Sequence, residues 1–331
     1  MGDTAISYAT KGWSPVVGCP LPLASDGCQH CWARELHNRR HRAYRHGKHL
    51  PKMYDYPFEL MQTFPARLDE PLHWRKPQTV AVCFQGDLFH EAVSEAFIHE
   101  VLDTVLCCDQ HTFQVLTKRA DRCRTVLTKY WDAMREKRRQ AETWCDYRGI
   151  RFTDLIEIPF PNLWVGISCE DQATADARIS LLLQTPAAVR FVSVEPMLGP
   201  VDLCMPSKIT RAKARELARK IHASFDEDTF RLLEWVIVGG ESGPQARPMH
   251  PNWVRSVRDQ CQAAGVPFFF KQWGEWSPVH HGNYSVSHLN ESGGHGTGFN
   301  TTPMWRVGTK RSGHLLDGRE WREFPQSHRE G

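Results

Sequence analysis

No stretch of this 331-residue chain approaches the roughly 18 consecutive apolar residues that a membrane span requires, so no membrane partner is expected. Nor does a charged n-region lead into an apolar stretch after Met1, which argues against an export signal. Eleven cysteines without such a signal predict a reducing, cytoplasmic setting in which thiols stay free. A Gly-rich GxGxxG turn after an early strand is also lacking, which counts against a dinucleotide-binding sheet. Charge of one sign is scarce: 41 basic residues against 38 acidic ones leave a formal net charge of +3. No global field therefore demands a nucleic acid. Finally, no second CxxC or HxxxH pair completes the spacing usual for structural zinc.

Three cysteines do stand close together, in Gly18-Cys19-Pro20 and in Gly27-Cys28-Gln29-His30-Cys31-Trp32. Eight residues separate the first two and two separate the last pair. The loop is rich in Gly and Pro, and Ala33 to Arg45 after it lacks both and reads as a helix. A cytosolic chain of this size has no need of a disulfide framework. Three thiolates leave a metal centre one ligand short, which suits a site that must hold a substrate or cofactor. Two metal readings compete. A tetrahedral zinc would add one of His30, His37 or His41 to the thiolates. A [4Fe-4S] cluster would take Cys19, Cys28 and Cys31 on three irons and leave the fourth open, and the missing second pair favours it. The bland alternative is three buried thiols in an ordinary loop.

Apolar runs of four to six residues recur along the chain. They are Thr79 to Phe84, Phe113 to Thr117, Leu163 to Ile167, Val189 to Val194, Trp235 to Val238 and Pro267 to Phe270, with a short one at Trp13 to Val17. Such runs suit strands covered on both faces, hence a parallel sheet. Helical stretches alternate with them: Glu91 to Cys107, Ala120 to Arg139, Gln172 to Leu183 and Pro251 to Ala264. The alternation predicts an α/β fold, a complete or partial β/α (TIM-like) barrel over residues 1–276. Insertions are expected at about 37–78, 131–161 and 204–233, the last holding a basic helix from Lys208 to Ile221. Residues 277–331 read as a C-terminal tail packing on the barrel, loose from His280 to Thr302 and folding back at Leu316 to Trp321.

In such a barrel, chemistry collects at the carboxyl ends of the strands. Those ends carry Gly86-Asp87, Lys118, Ser168, Glu195, Gly240-Glu241 and Lys271. Each alone is an ordinary turn or cap residue. Together they would face one cavity beside the cysteine loop. An open-iron cluster can hold S-adenosylmethionine by its amino and carboxylate groups. Gly86, Asp87, Ser168, Glu195, Gly240 and Glu241 are then the expected cofactor-binding residues. Metal-assisted hydrolysis by Asp87, His90 and Glu195 is the weaker alternative, because a paired-His spacing is missing.

At these residues the chain resembles the bacteriophage gene product thirty-seven/sixty-eight family, a phage- and prophage-associated family of unknown function. The matching stretches are Trp13 to Cys19, Gly27 to Trp32, Gly86 to His90, Gln114 to Arg119, Trp164 to Ser168, Ser193 to Met197 and Gly239 to Gly243. That family looks like a divergent branch of the radical S-adenosylmethionine superfamily on a β/α barrel. The resemblance implies an iron–sulfur cluster on Cys19, Cys28 and Cys31, S-adenosylmethionine as cofactor and an external electron donor. It further implies a 5′-deoxyadenosyl radical that abstracts hydrogen from a substrate. The chain departs from the superfamily in its eight-then-two spacing, usually three-then-two. His30 stands where an aromatic usually precedes the last cysteine. Its Gly239-Gly240-Glu241 lies near the sixth strand rather than after the second. The competing expectation is a non-catalytic, zinc-stabilised β/α module that binds a nucleic-acid or protein partner. Arg34 to Lys52 holds seven Lys or Arg, four His and one acid, Glu35. Such a run is often just a solvated face. With Lys208 to Lys220, it admits a nucleotide or nucleic-acid substrate.

Overall fold

Pro15 has no amide hydrogen to offer a strand ladder, and the stretch expected as one strand from Trp13 to Val17 breaks beside it. The computed structural model describes residues 4, 6–20, 24–141, 159–203, 233–280, 282, 284–294 and 301–326. In it β1 (Lys11–Trp13) stays in the main sheet, while β2 (Val16–Val17) turns away to pair antiparallel with β3 (Gln62–Thr63). The cysteine loop follows, and Cys31 stands immediately before α1 (Trp32–Arg45). The apolar runs become β4 (Thr79–Val82), β5 (Thr112–Thr117), β6 (Leu163–Cys169), β7 (Val189–Val194), β8 (Trp235–Gly239) and β9 (Phe268–Gln272). With β1 they form one parallel seven-stranded sheet in the order β1-β4-β5-β6-β7-β8-β9. The sheet curls into a half-barrel flanked by helices, the partial form of the expected barrel. Among the described residues no pairing joins β9 back to β1.

The helices are α2 (Glu95–Cys107), α3 (Ala120–Ala141), α4 (Gln172–Leu183) and α5 (Pro251–Ala264). The first starts at Glu95 rather than Glu91, because the Ser94 hydroxyl accepts the Phe97 amide at 3.2 Å and so caps it there. Alternation along each strand sends two sets of apolar residues to opposite faces. Val80, Val82, Val165, Ile167, Val236 and Val238 join the large outer core with the helices. Trp164, Phe191, Trp235, Ile237 and Phe269 point to the concave side and form a separate inner core around Tyr8. The Tyr8 ring meets Trp235 at 5.6 Å and Phe269 at 5.7 Å, both edge-on. An aromatic plug thus closes the amino end of the half-barrel and leaves the carboxyl end open.

Among its described residues the tail carries more regular structure than expected. Val286–Leu289 (β11) pairs with Thr302–Arg306 (β12), and Trp276–Ser277 (β10) pairs with the other side of β12. Only Leu289 of β11 is buried, so this polar strand is held by its ladder rather than by an apolar pattern. The turn at Leu316 is a hairpin through Asp317 and Gly318, both with positive φ (53° and 75°). Beyond it Phe270 donates its amide to the Trp321 carbonyl (2.8 Å) and Glu323 to that of Phe268 (3.1 Å). The tail thereby covers the outer edge of β9. Residues 142–158 and 204–232, which carry most of two expected insertions and the basic helix at 208–221, lie outside the described residues.

Replacing Tyr8 by Ala should destabilise the fold by about 3–5 kcal/mol in urea denaturation, by analogy with other buried aromatics. Replacing the exposed Tyr56 should change it by no more than about 0.5 kcal/mol. Equal, small effects would show that the inner core does not depend on Tyr8.

Candidate functional site

The open end of the half-barrel holds a cavity of about 820 Å³. Cys19, Cys28 and Cys31 line it, and so do Gly86, Asp87, Ser168, Glu195, Gly240 and Glu241. All nine residues expected at the site therefore come together. So do Lys118 and Lys271. His90 does not line it: its ring faces the Pro20 carbonyl (3.4 Å) and accepts the Ala92 amide (3.0 Å), and burial holds it below the usual imidazole value. The hydrolytic trio is not assembled.

The carboxylates divide by what already binds them. Asp87 is buried and accepts from the Phe89 amide (3.0 Å), the Thr117 hydroxyl (2.7 Å), the Lys118 amide (3.2 Å) and Arg119 (3.1 Å). Four donors saturate it, so it fastens the ends of β4 and β5 together rather than offering a free acceptor. Glu241 accepts from the Arg247 amide (2.7 Å) and from its guanidinium at 2.6 and 2.8 Å. Burial pushes its carboxyl up, but the Arg247 bonds outweigh this and hold it below the ordinary value. His30 lies 3.6 Å from the same carboxylate, and Arg247 also donates to the Asp26 carbonyl (3.3 Å), so Glu241 grips the cysteine loop from β8. Glu195 pairs with Lys271 at 2.6 Å, and the ammonium sits 5.7 Å from the Tyr8 ring centroid. Ser168 donates to the Glu195 carbonyl (3.1 Å). Gly86 and Gly240 are small because backbone passes close by. A Cβ on Gly86 would come 2.8 Å from the Gly18 oxygen, and one on Gly240 would overlap the Trp273 carbonyl.

Glu170, the residue just past β6, was not among the expected site residues. It has no exposed surface and binds Lys118, Arg178 (3.3 Å) and the Ser25 hydroxyl (2.7 Å). Arg178 also donates to the Ala24 carbonyl (3.1 Å), and a Cβ on Gly27 would lie 2.6 Å from the Glu170 side chain. The cysteine loop thus packs directly on a buried ion triad. The available signal was an acid at a strand end, five residues before Ala175, the first buried residue of a helix that carries Arg178. That pattern does not reveal the pairing.

Of the nine described cysteines, only Cys19, Cys28 and Cys31 line the cavity, and all three are partly exposed. Burial pushes the Cys19 thiol up to about 11, while Arg119 opposes this and Asp87, Cys28 and Cys31 add to it. Of the others, Cys83, Cys108, Cys123, Cys169 and Cys261 are buried, and burial pushes Cys83 and Cys169 to about 12. Among the described residues no three His, Cys, Asp or Glu side chains gather as a single metal ion would need. The chain belongs to the DUF5131 family of proteins of unknown function. The family model matches residues 3–325, a span that takes in every lining residue of the cavity. No curated protein and no solved structure matches the chain. Among the described residues no helix is long and apolar enough to cross a membrane.

Glu170→Ala would strand Lys118 and Arg178 without their counter-charge and should cost about 3–5 kcal/mol in chemical denaturation. An effect below about 1 kcal/mol would show that the triad does not anchor the loop. A second expectation concerns acid. The folded carboxyl of Glu241 lies below its unfolded value, so the Arg247 bonds contribute fully above about pH 4.3. That contribution is lost as pH falls through the folded value. Between pH 7 and pH 3 the melting temperature of Glu241→Gln should therefore fall less steeply than that of the unaltered protein.

Proposed function

We propose that this protein is a radical S-adenosylmethionine-type enzyme whose [4Fe-4S] cluster is held by Cys19, Cys28 and Cys31. The observation that carries the reading is selective placement: only the three closely spaced thiols reach the cavity, and the other described cysteines stay outside it. A single zinc would draw its sulfurs to within ~3.8 Å of one another, given Zn–S bonds of ~2.3 Å. The thiols are not gathered in that way. A cluster binds each thiolate to a different iron, so its ligands need not meet at one point.

Held by Cys19, Cys28 and Cys31, such a cluster would supply one-electron reduction, drawn from an external donor, for the reductive cleavage of S-adenosylmethionine and hydrogen abstraction from a substrate. The chain's own residues would do the rest. Glu170 and Glu241 fix the loop from two strand ends. Glu195 and Lys271, beside Ser168, offer charge of both signs on the cavity wall. Leu36, Phe58 and Leu116 give it an apolar side that keeps water from a reactive species. The resemblance to the phage family and its radical branch belongs to this same proposal. Free thiols and a reducible cluster support a cytoplasmic setting.

Anaerobic reconstitution with iron and sulfide tests the reading. The unaltered protein and Cys107→Ala should load iron, and Cys28→Ala should lose at least about nine-tenths of it, as expected when one of three ligands is removed. With a strong reductant the loaded protein should release methionine and 5′-deoxyadenosine. One equivalent of tightly held zinc and no cleavage would replace the proposal with the zinc-stabilised binding module.

A further inference from the structure

The cavity mouth is formed in part by α1, whose residues Trp32, Leu36 and Arg40 line it at successive turns. Trp32 is 47% exposed, so its indole offers a flat apolar face at the mouth. Two turns on, Arg39 lies in line with Trp32, and His46 follows after two more, at steps of ~10.5 Å along the axis. Arg42 stands beside them. Arg39, Arg42, His46, Lys48 and His49 are all exposed, and among the described residues none of them has an ion-pair partner. Acids nearby are few: Glu59 faces Arg34 (3.4 Å), Asp55 faces Arg45 (3.8 Å), and the exposed Glu35 adjoins Gly243. An aromatic platform at a cavity mouth, continued by a row of uncompensated cations, is the arrangement that takes stacked bases and a phosphate backbone.

The inner wall adds a second, independent observation. Ser193 on β7 lines the cavity with no exposed surface, and its hydroxyl has no hydrogen-bond partner. The side-chain carbonyl oxygen of Gln272, a residue lining the same wall, is also unpartnered. Buried polar atoms are almost always bonded, so these mark where a polar ligand group sits. Lys271 and Glu195 beside them can meet an acceptor and a donor on one planar edge.

We infer that the substrate is a single-stranded nucleic acid. Its backbone runs along α1 on Arg39 and Arg42, one base stacks on Trp32, and one nucleotide enters the cavity towards Ser193 and Lys271. A base held in a duplex cannot reach a recessed wall without leaving the stack, which is why the strand must be single. An acidic protein would match the cations but would leave the indole and the unpartnered Ser193 hydroxyl unexplained. The inference rests on the cavity being the place of chemistry, not on the identity of the cofactor.

Fluorescence anisotropy with a labelled 12-nucleotide single strand, as DNA and as RNA, tests this with the full chain and without any reductant. Single strands should bind more tightly than a duplex of equal length. The slope of log K against log salt should weaken by about 0.7 for each arginine removed in Arg39→Ala and Arg42→Ala. Arg75→Ala with Lys76→Ala removes equal charge at the opposite end of β4 and should leave the slope unchanged. Trp32→Ala should weaken binding roughly 5- to 150-fold, and Trp32→Phe should recover much of the loss. Duplex binding as tight as single-strand binding would overturn the inference. So would equal slopes in both arginine and control variants, or equally tight binding of polyglutamate. Absent S-adenosylmethionine cleavage with the binding pattern intact would sink only the cofactor reading.

Discussion

The carboxylate of Glu170, shut away from water between Lys118, Arg178 and Ser25, is the junction on which the open end of this molecule depends. Three segments far apart in the chain meet there: the cysteine loop, the end of β5 and helix α4. A buried carboxylate with two cations is costly to break although not itself a large source of net stability. Its value lies in specificity of place. The loop has no apolar residue pattern that would settle its path, and Gly27 fits only because its missing Cβ leaves room for the Glu170 side chain. Arg247 and Glu241 repeat the device on the other side of the loop, from the end of β8.

Around that junction the half-barrel separates two kinds of interior. The convex side is an ordinary aliphatic core between strands and helices. The concave side passes from aromatic at the amino end, around Tyr8 and Trp235, to charged and hydroxylated at the carboxyl end, with Ser193, Glu195 and Lys271. The gradient follows from strand alternation, because the inward positions of each strand run from large apolar residues to small polar ones. Polar side chains are thereby concentrated at one end of the fold.

The strands and helices were legible because continuous apolar runs and capped periodic segments carry their own signal: Val189–Val194, Gln172–Leu183 and Pro251–Ala264 have the bounds their patterns imply. The broken first strand was not, since a single Pro15 decides between one ladder and two. Convergence of the nine candidate residues followed from six places at strand ends and a cysteine loop that follows the first strand. Their roles did not. Asp87 is engaged by Arg119, 32 residues away, and Glu170 by Lys118, 52 residues away, and no spacing rule predicts such partners. An acid that looks free in sequence is bound in space, and the acid that mattered most was passed over.

Tyr8 has a temporal meaning as well. It precedes every strand, yet its ring rests on Trp235 and Phe269, residues contributed by β8 and β9. Contacts of such long sequence separation are slow to form, because the loop must be closed before any of them can reward it. A chain emerging from the ribosome would hold its first aromatic idle until the last parallel strands arrive, and the edge of β9 would wait longer still for Trp321 to Glu323. Closure of the concave side therefore requires the last parallel strands to be in place. A molecule stalled before it presents bare strand edges and stacked rings to its neighbours, the state chaperones are there to shield.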